Sequence, residues 1–409
     1  MLGATHARSG PLAAVESAAF LPGVSGEMAR RRIGMKQVHL AHWACVTPLG
    51  AGLDALWRAL LEGRDAFRPV RRFATDAYVN NLATCLPELD NPGKTTRLQT
   101  LLDMLPAASL PLPGDTLLFT ASTKAGIDQL ETRLRGGAAR MNEILPAHLP
   151  EIVARRLAIP RVGRNISAAC ASGGVALCLA ATRVAAGDAP CAVVCGLDLV
   201  TEFVFSGFSA LKALSPTRCR PFDIHRDGLL LGEAAAVAVL ADAAHLDRMG
   251  LESLGMVSGW GISSDASHIT APSREGEGLV RAVRQALKVA GIAPEHIAGI
   301  IAHGTGTVYN DAMEIEAFSR VFGNSAPRMA GLKGALGHSM GACGVIEALV
   351  AARSGRHALL PPTCGLQAPE PAVANQVSSS PQPLGAGCVL STNSGFGGIN
   401  AALVVDAVK

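Results

Sequence analysis

The chain has 409 residues, 49% of them hydrophobic and 17% charged, and a formal net charge of +3 at pH 7. That length and apolar share give a core too large for one small domain and favour two packed units of similar size. The mild charge, with no Lys/Arg run beyond Arg30-Arg31-Arg32 and no aromatic–basic interleaving, argues against nucleic acid as a partner.

Aromatics make up only 4%, so the expected core is aliphatic and built on small residues. The ten cysteines show no CxxC and no His/Cys cluster at metal-ligand spacing. Several lie in apolar runs, as in PCAVVCG (190–196), which fits reduced thiols in a cytoplasmic protein. No stretch is long enough to span a membrane without Gly, Pro or charge. Residues 1–35 lack a basic segment followed by a long apolar core, and read as an extension without a secretory signal.

In chain order, residues 38–45 read as a strand and 53–61 as a helix with Leu53, Trp57, Leu60 and Leu61 on one side. Residues 65–96 read as loops, with Arg68, Arg71 and Arg72 on a solvated basic surface. A helix over 97–105 should stop before Pro106. A strand at 115–122, a helix at 126–134 and a broken helix over 139–157 follow. Residues 163–170 read as a buried strand that bends at Cys170 into a helix over 175–186. Next come a strand at 189–196, a helix at 205–214, a strand at 232–240 and a linker at 246–250. The second half repeats this rhythm: strands at 254–261 and 297–303, helices at 276–290, 311–322 and 339–354, then strands at 385–391 and 399–406. Alternating elements with near-continuous apolar strands predict layered α/β structure, its sheets covered on both faces.

Cys170 sits in GRNISAACASGG (163–174). Its small neighbours would let a substrate reach the sulfur, and the following helix N-terminus would favour the thiolate. A small core residue fits the same local pattern. His303 and His338 each follow a strand-like run and are wrapped in small residues, where α/β folds expose functional groups. Together the three residues suggest acyl transfer, with the thiol attacking a thioester and the histidines stabilising a developing oxyanion.

Over residues 37–409 the chain resembles the β-ketoacyl-[acyl carrier protein] synthases, decarboxylating condensing enzymes of the thiolase superfamily. The matching stretches are AACASGG (168–174), RPFDIHRDGLLLGEAAAVAVL (220–240), HGTGTVYNDAMEIEA (303–317), LKGALGHSMGACGVIEA (332–348) and NSGFGGIN (393–400). The resemblance implies a five-layered α-β-α-β-α fold with pseudo-duplicated halves: 36–250 carrying the nucleophile, 251–409 carrying the two histidines. It implies that Cys170 accepts the acyl group, and that His303 and His338 complete a Cys-His-His set. Backbone N–H groups of Cys170 and Phe396 would form the oxyanion hole, with Phe396 as a gate. Lys333 would organise the site electrostatically through Glu347, and Glu314 would help hold the lysine or histidine network. Asp311 reads as a helix cap or ion-pair partner. Thr305 and Thr307 would bind the pantetheine arm, whereas Asp223, Arg226, Asp227 and Glu233 read as internal anchors.

No bound cofactor or metal is implied, since substrates travel on the phosphopantetheine arm of an acyl carrier protein. The implied assembly is a homodimer, or a heterodimer with a related synthase subunit. The alternatives are a CoA-dependent thiolase-like acyltransferase and a non-catalytic chain-length-factor-like partner. Three departures from the housekeeping pattern point to specialised synthesis, polyketide or aryl-polyene, beside fatty-acid elongation. Ser394 passes directly to Gly395 without an intervening Phe, residues 214–220 are short, and the stretch from Ala125 to Cys170 is compact.

Overall fold

The computed structural model describes residues 35–105, 110–323 and 326–407. The expected extension, apart from Met35, and Pro106 lie outside them. Ten strands build one sheet, with a two-residue strand at Gly50–Ala51 pairing beside it. The first five are β1 (His39–Thr47), β2 (Leu117–Ala121), β3 (Arg164–Ile166), β4 (Cys191–Asp198) and β5 (Ala234–Ala241). The second five are β6 (Gly255–Ser264), β7 (Ile297–Ala302), β8 (Arg328–Gly331), β9 (Cys388–Gly395) and β10 (Ile399–Asp406).

The sheet order is β8-β7-β9-β10-β6-β1-β5-β4-β2-β3. Read outward from the centre, the two halves run β1-β5-β4-β2-β3 and β6-β10-β9-β7-β8, the same order shifted by five strands. Pair directions repeat as well. The outer pairs β2/β3, β2/β4, β7/β8 and β7/β9 are parallel, and the inner pairs β4/β5, β1/β5, β9/β10 and β6/β10 are antiparallel. Within the sheet, the described strands of the two halves pair at His39↔Met256 and Leu40↔Gly255.

Two helices fill the space between the halves, α5 (Ser172–Ala185) and α11 (Cys343–His357). Both are buried on nearly every side, which suits small apolar sequences such as SGGVALCLAA. Outside the second half, α8 (Glu277–Ala290) covers β6 and β10 with its apolar stripe and packs on α9 (Val308–Phe322). Outside the first, α2 (Arg97–Asp103) and α4 (Leu149–Arg156) cover β5 and β2. The result is the five-layered architecture expected. Strands β4 and β5, covered on both faces, are buried throughout.

Some local readings need correction. Residues 246–250 are no linker: α7 (Ala243–Met249) starts where the Asp242 side chain accepts from the His245 N–H, and ends at Gly250 in the left-handed region (φ 66°). The helix placed at 205–214 is α6 (Glu202–Ala210), started by the Thr201 cap. The helix placed at 339–354 is split into a 3₁₀ turn at Met340–Ala342 and α11, and a short α10 (Lys333–Leu336) precedes it. Strand β3 is a half-exposed edge, not a buried strand. Residues 65–96 are not simply a solvated surface. The Arg72 side chain is fully buried and bonds Glu233 at 2.7 Å and Asp90 at 2.9 Å, clamping this segment to the start of β5. The helices α1 (Leu53–Leu61) and α3 (Asp128–Leu134) lie where expected.

Candidate active site

Cys170 lies at the bend from β3 into α5. Ala169 is held at φ 48°, a conformation that costs a non-glycine residue energy. Ser172 stitches the bend: its hydroxyl accepts from the Ala168 N–H at 2.9 Å and donates to the Ala169 carbonyl at 2.6 Å. The β9–β10 hairpin closes over this turn. A Cβ on Gly395 would lie 2.9 Å from the Ala168 carbonyl and 3.1 Å from the Cys170 nitrogen, so only glycine permits this approach. The backbone N–H of the next residue, Phe396, favours the Cys170 thiolate.

The free thiol is not the thiolate that the helix N-terminus alone would favour. Burial pushes Cys170 up to about 12, outweighing the nearby Lys333 charge and the Phe396 N–H. Between substrates, Cys170 is therefore a protonated thiol.

His303 follows β7 and His338 follows α10. One ring nitrogen of each lies within 4.8 Å of the other and of the Cys170 sulfur. The imidazoles meet edge-on, with centroids 5.4 Å apart. Burial pushes both well below the ordinary histidine value, and the Lys333 charge adds to this, so both rings are neutral. Hydrogen bonding then fixes which nitrogen carries the proton. Lys333 Nζ, which can only donate, lies 3.1 Å from His303 Nδ1. The Met340 N–H donates to His338 Nδ1 at 3.2 Å. With both Nδ1 atoms accepting, the proton of each ring sits on Nε2. His338 Nε2 is buried and has no partner among the described residues.

Lys333 itself is buried and spends its three protons on His303 Nδ1, the His303 carbonyl and Glu347 Oε1 at 2.6 Å. Burial opposes its charge, but Glu347 more than offsets this and holds the ammonium above its ordinary value. Glu347 also accepts from Asn393 on β9. Glu314 reaches the site through backbone, accepting from the His303 and Gly304 N–H groups at 2.7 Å each. Burial and Asp311 push its carboxyl up to about 8.

Asp311 neither caps α9 nor pairs with a cation. It is buried and gathers the N–H groups of Phe222 (2.8 Å), Thr305 (3.0 Å) and Gly306 (3.2 Å), folding the HGTGT loop under the site. The anchors Asp223, Arg226, Asp227 and Glu233 also make internal contacts, for example Arg226–Glu370 at 2.6 Å and Ser215–Asp227 at 2.5 Å.

A cavity of about 310 Å³ opens onto this group, lined by Cys170, His303, His338, Thr305, Thr307 and Phe396. Phe208 stacks at its side, 5.8 Å from the Phe396 ring. Lys333, Glu314, Glu347 and Asp311 stand behind this lining. Three contributors escaped the sequence reading. Asp198, the one charge ending an all-apolar strand, accepts from Ser122 and from the Gly341 N–H at 2.7 Å each, tying β4 to the start of α11. Asn393 holds Glu347, and Cys343 lies 3.3 Å from His338 Nδ1. A polar residue ending or crossing an apolar run was the available signal for the first two.

The family model for the β-ketoacyl synthase N-terminal domain matches residues 118–245, and that for the C-terminal domain matches residues 254–367. The 3-oxoacyl-[acyl-carrier-protein] synthase 2 of Rhizobium meliloti is 31% identical over 91% of this chain and 99% of its own length. The enzyme of the same name from Coxiella burnetii is 28% identical over 91% and 99%. Among solved structures, the ishigamide ketosynthase/chain length factor superposes with a TM-score of 0.81 at 29% identity, covering 92% of this chain and all of that one. A β-ketoacyl synthase from Burkholderia phymatum gives 0.79 at 28%, with the same coverage. With two half-models matched in chain order and a relative matched along nearly its whole length, this chain belongs to the β-ketoacyl synthase family, acyltransferases of the thiolase fold.

Proposed function

We propose that the protein transfers an acyl group from a carrier-protein phosphopantetheine to Cys170 and condenses it with a malonyl-carrier thioester, releasing CO₂. The observation that carries this reading is the pair of neutral imidazoles whose Nδ1 atoms are both occupied, leaving two Nε2–H donors beside one thiol.

In the first half-reaction the Cys170 sulfur attacks the acyl thioester, and its proton leaves with the pantetheine thiol. The tetrahedral oxyanion meets the backbone N–H groups of Cys170 and Phe396. In the second, the malonyl carboxylate departs as CO₂, and its bonding electrons become an enolate. The enolate oxygen accepts from Nε2–H of His303 and His338. Neutral donors suit this task, because they stabilise the developing charge without protonating the carbon that must attack. That carbon adds to the acyl-Cys170 carbonyl, the sulfur is expelled, and it takes up one proton from water. Lys333 stays charged and polarises His303 through Nδ1. It is no general base, since Glu347 keeps it protonated.

Thr305 and Thr307, their hydroxyls 2.8 Å apart on the cavity wall, offer partners to the amides of a pantetheine arm. Phe396, between glycines and against Phe208, gates the thiol. A thiolase-like mechanism would need a second thiol facing the substrate. Cys343 lies behind His338 and does not line the cavity, which disfavours that reading. The acyl carrier protein is the proposed partner, and a dimer, with itself or a related subunit, the proposed assembly. Among the described residues no helix is long and apolar enough to cross a membrane, and the proposed compartment is the cytoplasm. The division at residue 250/251 follows the repeat of the strand order.

Intact-mass analysis with a panel of acyl-carrier donors tests the proposal. The wild type should gain one acyl mass, and Cys170→Ala none. Ketoacyl product should form only when malonyl-carrier is supplied, with matching CO₂ and a loss on the order of 10³-fold or more in Cys170→Ala. An acyl adduct that persists in Cys170→Ala removes this assignment.

A further inference from the structure

A buried thiol that the mechanism does not use lies directly against a catalytic ring. Cys343 opens α11 directly behind His338, its sulfur 3.3 Å from His338 Nδ1 and 3.4 Å from the Ser339 hydroxyl. On the other side of the ring, Nε2 is buried, unpartnered, and on the cavity wall. We infer that Cys343 is a positioning residue for the condensing step: its S–H, backed by the Ser339 hydroxyl, donates to His338 Nδ1 and holds the Nε2–H toward the substrate.

Nδ1 has one lone pair, and the Met340 N–H reaches it at 3.2 Å along a backbone held at φ 44°. A single donor of that length leaves the ring free to tilt. A second donor from a different element, the first turn of α11, fixes the ring plane from two directions. Burial pushes the thiol up to about 11, so it keeps the proton it donates. The chain Ser339 Oγ–H to Cys343 Sγ–H to His338 Nδ1 gives every member a partner. An imidazolium would need to place a proton on Nδ1, facing both donors, so the same contacts oppose protonation. The other titratable groups facing the ring are Lys333 from α10, His303 from β7 and Cys170 from the bend before α5. The lysine is already paired to Glu347, and none of the three supplies an acceptor for an Nδ1 proton.

This inference rests on the proposed condensing reaction for its catalytic meaning, but its geometry can be tested without turnover. Histidine labelled with ¹⁵N reports the tautomer and protonation of each ring, and His338 is assigned by its loss in His338→Ala. Wild-type His338 should show the Nε2–H tautomer and remain neutral from pH 8 down to pH 5. In Cys343→Ala it should show tautomer exchange or begin to protonate within that range, and Cys343→Ser should restore the wild-type spectrum. In parallel, malonyl-carrier decarboxylation should fall about 3- to 10-fold in kcat in Cys343→Ala, as expected for loss of one modest hydrogen bond. KM should be unchanged, the acid limb should move to higher pH, and acylation of Cys170 should stay near wild type. An identical His338 spectrum and pH profile in folded Cys343→Ala would overturn the inference. A wild-type protein without decarboxylation, but with the spectral change intact, would instead overturn the proposed function alone.

Discussion

In the first half of the sheet, the passage from β3 to α5 delivers a single thiol from a wall of Ala, Ser and Gly. In the second half, the equivalent passage from β8 to α11 delivers Lys333, His338 and Cys343, backed by Glu347. The two frames are built alike and their helices meet backbone to backbone. A Cβ on Gly173 would lie 2.8 Å from the Gly341 carbonyl, and one on Gly344 would lie 2.3 Å from the Gly174 nitrogen. The repeated fold thus brings two helix starts together, and the sequence loads them unequally. One side is stripped of polar groups so that a thioester can reach the sulfur. The other is crowded with charge, and every proton of its Lys333 ammonium is committed to a partner.

The contrast is broken most severely by Lys333→Met, which leaves Glu347 buried without its cation. We expect a loss of about 3–5 kcal/mol in denaturant unfolding, partly recovered in the double variant Lys333→Met/Glu347→Leu. Removing the histidines tests the division of labour. His303→Ala or His338→Ala should cut condensation by about 10²–10³-fold while acyl-Cys170 still forms, as read by product assay beside intact mass. If acylation fell equally, the two sides would not be separable. Gly344→Ala probes the shared backbone contact. Overpacking there should cost about 1–3 kcal/mol in urea unfolding.

The pH dependence of stability is affected as well. His303 and His338 are neutral in the fold, held below the 6.5 of an unperturbed histidine by burial and Lys333, and half-buried His42 is lowered to about 4. Below pH 6.5 the unfolded chain binds more protons than the folded one, so stability falls as pH drops through that value. One pH unit further down, each such histidine contributes a loss of about 1.4 kcal/mol. Urea midpoints at pH 7.5 and 5.5 should show the fall, and the double variant His303→Ala/His338→Ala should flatten it.

Much of the layered architecture is legible in the sequence, because β4 and β5 are apolar without interruption and α8 is striped. The reacting residues are legible too, since Cys170, His303 and His338 each end an apolar run among small residues. What stays hidden is set by tertiary contact. Nothing near Arg72 says that Glu233, 161 residues on, will bury it. Nothing around Asp311 says that its carboxylate will gather backbone N–H groups instead of capping its helix. The sulfur of Cys170 is similarly deceptive: local sequence shows a helix N-terminus, whereas its protonation is decided by burial under β9, more than 200 residues away. The helix around Phe205 starts earlier than its apolar spacing suggests, and Leu246 is helical, for a simpler reason: the caps at Thr201 and Asp242 set where those helices begin.

The placement of β1 has a consequence for synthesis of the chain. Apart from the short pairing of Val46 and Thr47 with Gly50–Ala51, its partners are β5, from His39↔Ala241 to Val46↔Ala235, and the first residues of β6. Every one of these lies about 200 residues downstream. At ~5–20 residues per second, the segment HLAHWACVT leaves the ribosome on the order of 10–40 s before β5 or β6 can pair with it. During that interval its first seven residues, Leu40 and Trp43 among them, lack a sheet partner and are open to other nascent chains. Soluble yield should therefore depend on translation speed and on chaperone supply, through a strand remote from the catalytic thiol.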